Sequence, residues 1–256
     1  MRFGVCTKFE NLPFVAAAGY DYFEGNLNKL AAMSEEESEA ARAALQASGL
    51  AMETTACFFG SADRLTGEEV DFEAIAAYAD RALKRAAAFG VKVAVLGSGG
   101  ARKIPEGFPR EKAEEQFVRV IRICGDAAQK YGIKIALEPL NRNETNLMNT
   151  LSEGLALCER ADHPAVGMLA DFYHMYMVDD DLATLQAIGD RLFHVHIARP
   201  NEDRAAPSMA DEAVLRQWSA ALKQSGYNGR ISLECKFIPS VEQGLTDMNS
   251  VKGLFR

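Results

Sequence analysis

The stretch that decides the fold is Ile133–Thr150, IKIALEPLNRNETNLMNT. Ile133, Ile135 and Leu137 alternate with Lys134, Ala136 and Glu138, the period of a strand whose apolar face packs outward. Glu138 falls where the strand ends, and Pro139, with no N–H to give, stops the ladder. Asn141, Arg142, Asn143, Glu144, Thr145 and Asn146 follow as a loop dense in hydrogen-bonding groups. Such a loop is by default a solvated turn. A carboxylate at the tip of an apolar strand is not, and it asks for a partner.

Outward from this stretch, short apolar strands alternate with amphipathic helices. Strands are expected at Phe3–Cys6, Tyr20–Glu24, Leu50–Phe58 and Val91–Leu96 before it, and at Val166–Ala170, Leu192–Ile197 and Ile231–Cys235 after it. Helices are expected over Leu12–Ala18, Ser34–Ser48, Phe72–Phe89, Arg110–Tyr131, Glu153–Arg160, Asp181–Ile188, Asp211–Ser225 and Val241–Leu254. Ser34 with Glu37 forms a capping box, and Gly49 closes that helix. Eight strand–helix units in about 250 residues fit a single (β/α)8 TIM barrel of the α/β class spanning residues 1–256. A doubly wound sheet is disfavoured, because no G-x-G-x-x-G follows the first strand.

Composition limits the function. A net charge of −8 argues against general affinity for nucleic acid. Met1-Arg2 runs straight into the first strand, and no apolar run reaches membrane-spanning length, so a cytoplasmic protein without membrane contact is expected. Cys6, Cys57, Cys124, Cys158 and Cys235 form no C-x-x-C pair and read as reduced thiols rather than a zinc-thiolate site.

In a barrel, chemistry is built at the C-terminal ends of the strands. Four consecutive strands carry candidate ligands there: Glu138, Asp171, His196 (with His194 on the same face, Val195 between them) and Glu234. Alone, Asp171 would read as a helix cap, and His-x-His as a hydrogen-bonded core pair. Repetition at the equivalent place of four strands favours a metal site, since independent caps would not all alternate inward. Three carboxylates and one imidazole suit one divalent ion of intermediate hardness, Mn²⁺ or Co²⁺, with Mg²⁺ the harder alternative.

Glu138-Pro139-Leu140-Asn141-Arg142-x-Glu144-Thr145-Asn146, then Leu169-Ala170-Asp171-Phe172-Tyr173-His174-Met175, then His194-Val195-His196-Ile197-Ala198 resemble the sugar isomerase/epimerase superfamily of xylose isomerase-like TIM barrels. Within it the pattern is that of the ketose 3-epimerases, the tagatose and allulose type, over essentially the whole chain. The resemblance implies Glu138, Asp171, His196 and Glu234 as metal ligands and Glu138 with Glu234 as the acid–base pair. It also implies Glu144 and His174 as contacts to the substrate, a small carbohydrate, and a homo-oligomer, dimer or tetramer. The family's arginine six residues after the ligand histidine is replaced here by Glu202, which leaves Arg204 or Arg199 to make that substrate contact.

The chemistry fits without the family. A metal on the carbonyl and adjacent hydroxyl oxygens stabilises an enediolate, one glutamate removes a proton, and the other returns one to the opposite face. An aldose–ketose isomerase of the hydroxypyruvate type, or a sugar lyase or dehydratase, would use the same ligands; a non-catalytic sugar-binding or partner-supporting barrel would not need the acid–base pair. Gly97-Ser98-Gly99-Gly100-Ala101-Arg102-Lys103 is more simply a glycine-permitted turn than an anion nest. Tyr22 and Glu24 are expected in the core or in the layer that supports the site residues. Phe58 and Phe59 sit at an active-face strand end, and Trp218 and His163 do not.

Overall fold

The strands are β1 (Arg2–Cys6), β2 (Tyr22–Asn26), β3 (Ala51–Ala56), β4 (Val93–Leu96), β5 (Lys134–Leu137), β6 (Val166–Asp171), β7 (Leu192–Ile197) and β8 (Arg230–Leu233). They close in sequence order, all parallel, with β8 pairing back onto β1 through Phe3↔Ile231 and Val5↔Leu233. The (β/α)8 barrel read from the sequence is the fold. The computed structural model describes residues 1–256 apart from Glu202, 237–239 and 256 and the side chains of Val241, Met248 and Ser250; the expectation placed on Glu202 lies outside the described residues.

The helices are α1 (Leu12–Ala17), α2 (Leu27–Ala32), α3 (Glu35–Ser48), α4 (Phe72–Ala88), α5 (Gly99–Arg102), α6 (Arg110–Lys130), α7 (Leu151–Ala161), α8 (Phe172–Met177), α9 (Thr184–Ile188), α10 (Glu212–Gln224) and α11 (Val241–Phe255). The capping box of α3 is complete: Ser34 N–H donates to Glu37 and Glu37 N–H to Ser34 Oγ. Gly49 ends α3 in the left-handed region at φ 72°. Helices α2, α5 and α8, each of six residues or fewer, were not expected, because so short a run shows no helical period. Several strand boundaries also move, those of β2, β3, β4 and β8 by about two residues. The Tyr20 N–H returns to Val15 O, so β2 begins later, and Cys57 turns left-handed at φ 52°, which ends β3 before Phe58.

Strand alternation sorts the side chains. Phe3, Val5, Phe23, Ile135, Leu137, Val195, Ile231 and Leu233 are buried in the large apolar layer between sheet and helices. The lumen divides in two. Val93, Val95, Ala136 and Leu169 form a small separate apolar cluster on the side of β4 to β6. Glu24, Thr54, His194 and Ser232, all buried, occupy the other side. Gly4 admits the Tyr22 ring there, since a Cβ on Gly4 would lie 2.2 Å from it.

Candidate metal centre

Each of the four candidate ligands is delivered by a strand that is still hydrogen-bonded to its neighbour. Glu138 N–H donates to Leu96 O at 3.3 Å and Glu234 N–H to Ile197 O at 3.1 Å, so the ladder continues one residue past β5 and β8. Asp171 ends β6 and performs two tasks at once. Its Oδ1 accepts from the N–H groups of Tyr173 (2.8 Å) and His174 (3.2 Å), capping α8, which leaves Oδ2 facing the barrel axis. The helix-cap and metal readings of Asp171 are thus both compatible with one carboxylate.

One oxygen or nitrogen from each of Glu138, Asp171, His196 and Glu234 lies within 4.8 Å of all the others. His196 Nδ1 is the centre of this group, 3.2 Å from Glu138 Oε1, 3.2 Å from Glu234 Oε2 and 4.0 Å from Asp171 Oδ2. Three buried carboxylates this close repel unless a cation stands among them. The side chain of Arg204 supplies one: its Nη2 is 3.1 Å from Asp171 Oδ2 and also bonds Glu234 Oε2, while Nε donates to Glu234 O at 3.1 Å. That a guanidinium is drawn to these oxygens shows the set fits a cation.

The electrostatics follow. Burial, and then Glu234, push the Glu138 carboxyl above its ordinary range. Burial acts the same way on Glu234, but Arg204 and His196 outweigh it and hold that carboxyl low. Burial would also keep His196 neutral, yet Glu24 and Glu234 overcome it and raise the imidazole well above its usual value. The two glutamates that flank one nitrogen are therefore driven apart in proton affinity.

Arg204 was one of two arginines open for this place. Arg199 turns instead to Asp211 Oδ2 (3.2 Å) and Ser208 Oγ (2.9 Å). The left-handed backbone of Arg204, φ 49°, and a bond from Lys236 N–H to its carbonyl aim its side chain inward, over the Tyr173 ring. His174 is buried beside it. Because the Asn141 N–H donates to His174 Nδ1 (3.2 Å), the ring proton sits on Nε2, a buried donor without a hydrogen-bond partner, 3.6 Å from Asp171 Oδ2. Glu144 accepts from Asn141 Nδ2 at 3.1 Å and lies 3.7 Å from Arg204 Nη1.

Above the four oxygens and nitrogens opens a cavity of about 300 Å³ lined by Asn28, Cys57, Phe59 and Ser98 as well as Glu138, Glu144, His174, Arg204 and Glu234. Gly97 makes room for the Glu138 carboxylate: a Cβ there would lie 2.1 Å from its Oε2. The glycine-rich run forms a wall rather than an anion nest. Arg102, fully buried, reaches from it to the carbonyls of Gly97, Leu147 and Met148, clamping the Asn141–Asn149 loop over the site. Trp218 stacks on Phe172 at 4.8 Å within the apolar layer, and His163 meets Asp126 on the opposite face, as expected. All five cysteines are free.

Sequence reading left Glu24 either in the core or supporting the site from behind, without a specific role. It lies directly beneath His196, with Oε1 3.0 Å from His196 Nε2 and Oε2 2.8 Å from His194 Nε2. No motif marks it, since its partners come from strands remote in sequence.

Residues 12–247 match the family model of the xylose isomerase-like TIM barrel. Among curated relatives, the chain is 30% identical to 3-dehydro-D-guloside 4-epimerase of Escherichia coli over 88% of both chains. It is 38% identical to L-ribulose 3-epimerase of a Methylomonas species over 52% of this chain and 45% of that one. The chain spans about half the length of the ketose 3-epimerases it matches. Among solved structures, D-allulose 3-epimerase from Methylomonas in complex with D-allulose superposes with a TM-score of 0.84 at 23% identity, covering 99% of this chain and 97% of that one. No described helix is long and apolar enough to cross a membrane.

Proposed function

The chain belongs to the xylose isomerase-like TIM barrel family, and from that premise we propose that it is a divalent-metal-dependent ketose 3-epimerase acting on a small, uncharged carbohydrate. The observation that carries the reading is the pair Glu138 and Glu234, each 3.2 Å from the same nitrogen of His196 within the four-residue cluster that also includes Asp171. A binding barrel has no use for such a pair.

In this reading Glu138, Asp171, His196 and Glu234 hold one Mn²⁺ or Co²⁺. A divalent ion held there supplies charge that stabilises the enediolate left when a carbon acid next to a carbonyl loses its proton. The protein does the rest. One of Glu138 and Glu234 takes the proton from one face of the substrate carbon, and the other returns one to the opposite face. His174 Nε2–H donates to a substrate oxygen, and Glu144 and Arg204 orient the hydroxyls beside the carbonyl. The described cavity lining offers three glutamates and a single arginine already engaged with two carboxylates, which favours a neutral polyol over a phosphorylated sugar. Residues 1–256 act as one cytoplasmic domain, and the protein works as a homo-oligomer, as the tagatose- and allulose-type epimerases are expected to.

Label position tests the reaction. With a panel of ketoses and Mn²⁺ in D₂O, NMR of the recovered product should show deuterium at C3 and none at C1. Label beside a carbonyl at another position would shift the assignment to the 4-epimerase chemistry named for the E. coli relative. Deuterium confined to C1, or an unsaturated product, would replace the epimerase reading with an aldose–ketose isomerase or a lyase.

A further inference from the structure

The reading above gives no part to the buried carboxylate under the site. We infer that Glu24 is a positioning residue that sets the proton of His196 on Nε2 and so presents Nδ1 as the metal-binding nitrogen; the inference rests on the metal reading of the four-residue cluster.

The geometry is two-ended. Glu24 Oε2 accepts from Thr54 Oγ1 at 2.7 Å, from His194 Nε2 at 2.8 Å and from Ser232 Oγ, whose neighbour is the Tyr22 hydroxyl at 2.7 Å. That oxygen is anchored from β3, β7 and β8 together. Oε1 is left for one partner, His196 Nε2 at 3.0 Å. A carboxylate oxygen only accepts, so the imidazole must donate from Nε2. Nδ1, the nitrogen among Glu138, Asp171 and Glu234, then carries the lone pair whenever the ring is neutral, which is what a metal ligand requires. The network also fixes the ring's rotation, because its far end is tied to a carboxylate that cannot move.

The proposed proton position also assigns a role to the group on the lower side. Cys6 Sγ, Glu24 Oε1 and His196 Nε2 lie close enough to suggest ligands. Nε2 cannot bind a metal while it holds the proton that Glu24 accepts, so the lower group serves the upper one.

Replacing Glu24 by glutamine makes the inference testable with little change in shape. Three donors converge on the Oε2 position, so the amide oxygen takes that place and the NH₂ faces His196 Nε2. Nε2 must then accept, and the proton moves to Nδ1. We expect Glu24→Gln to weaken Mn²⁺ binding, read by titration calorimetry or by the EPR signal of free Mn²⁺, by about 10- to 100-fold. ¹⁵N NMR of the histidines should report the His196 proton on Nε2 in the Mg²⁺-loaded wild type and, in metal-free Glu24→Gln at a pH where the ring is neutral, on Nδ1. A wild type that binds Mn²⁺ and a Glu24→Gln protein with equal affinity and the same ring pattern, even with a lower melting temperature, would overturn the inference and leave the metal site intact. A wild type that takes up no Mn²⁺ would overturn both. Should Glu24→Gln not be recovered folded, Thr54→Val with Ser232→Ala decides: freeing Oε2 should weaken Mn²⁺ several-fold, and unchanged affinity would count against the positioning role.

Discussion

At the C-terminal mouth of the barrel, Glu138, Asp171 and Glu234 crowd round one imidazole and one guanidinium, all largely removed from water. At the N-terminal mouth, Lys92, Lys134 and Arg230 line a depression of about 430 Å³. There Glu53 pairs with Arg230 and with Arg2, and Lys134 Nζ donates to the Pro164 carbonyl at 2.8 Å. The two ends have the same architecture and opposite electrostatics. At the lower end Glu53 is closely paired, but Arg2 and Arg230 keep part of their hydration. At the upper end three carboxylates share one arginine and one imidazole in a buried space, where an ionised group is costly unless it is paired. Ionisable groups are packed together out of water at one end and spread along the surface at the other, and the proposed site rests on that contrast.

The largest effect should come from breaking the upper end at the glutamates proposed to move protons. Glu234→Gln cannot accept a proton, and we expect turnover to fall by about 10²- to 10⁴-fold at saturating Mn²⁺. Asp171→Asn provides the contrast. Asparagine caps a helix about as well as aspartate, so α8 should persist while one ionised oxygen is lost. Its activity should recover in part as Mn²⁺ is raised. Steady-state kinetics across a Mn²⁺ series separates the two, and equal rescue of both variants would reduce Glu234 to a ligand alone.

A smaller effect should appear in the stability of the metal-free protein. His196 is faced by Glu138, Asp171 and Glu234 above and by Glu24 and Cys6 below, with Arg204 bonded to two of those carboxylates. Its folded-state pKa is raised, as is that of Glu138. A raised group contributes stability below its unfolded value that is lost as pH climbs through the folded one. The chelated protein should therefore melt at a lower temperature as pH rises above about 6.5, the unperturbed histidine value, by about 2–4 °C for each kcal/mol lost. Glu24 and Glu234 are shifted the other way and act only toward acid pH, where their contribution falls away. Excess Mn²⁺ should flatten the alkaline slope. Melting curves with and without chelator measure it, and a slope that Mn²⁺ leaves unchanged would detach the shifts from the site.

The same contrast explains what could be read from sequence. Period-two alternation and strand ends were sufficient to place Glu138, Asp171, His196 and Glu234, because their positions depend only on local register. Glu24 has the same alternation but no signature, since its partners Thr54, His194 and Ser232 are 30, 170 and 208 residues away and meet only when the barrel closes. Arg199 and Arg204 could not be separated either. Their roles turn on a left-handed residue in an irregular loop, and an arginine is not a residue type that announces such a backbone. The short helices α2 and α8 escaped for want of a period, although α8 places His174 and takes its cap from a ligand.

The smallest effect should come from the lower end, and it sharpens the comparison by being small. Glu53 joins Arg2 and Arg230, whose side chains are 50% and 26% exposed. Ion pairs so placed contribute about 0–1 kcal/mol, because water already solvates most of the cation and ordering the side chains offsets the attraction. Glu53→Gln keeps the size and one accepting oxygen while removing the charge. It should lower the melting temperature by no more than about 2–4 °C, leave kcat and KM within twofold of wild type, and leave Mn²⁺ affinity unchanged. Raising salt should shrink the stability difference further, since exposed pairs are screened where buried ones are not. Thermal melts at two ionic strengths, with kinetics on the same preparations, check all of this. A large loss of turnover in Glu53→Gln would mean that the lower mouth is coupled to the chemistry through the polar half of the lumen, and the division of labour between the two ends would have to be redrawn.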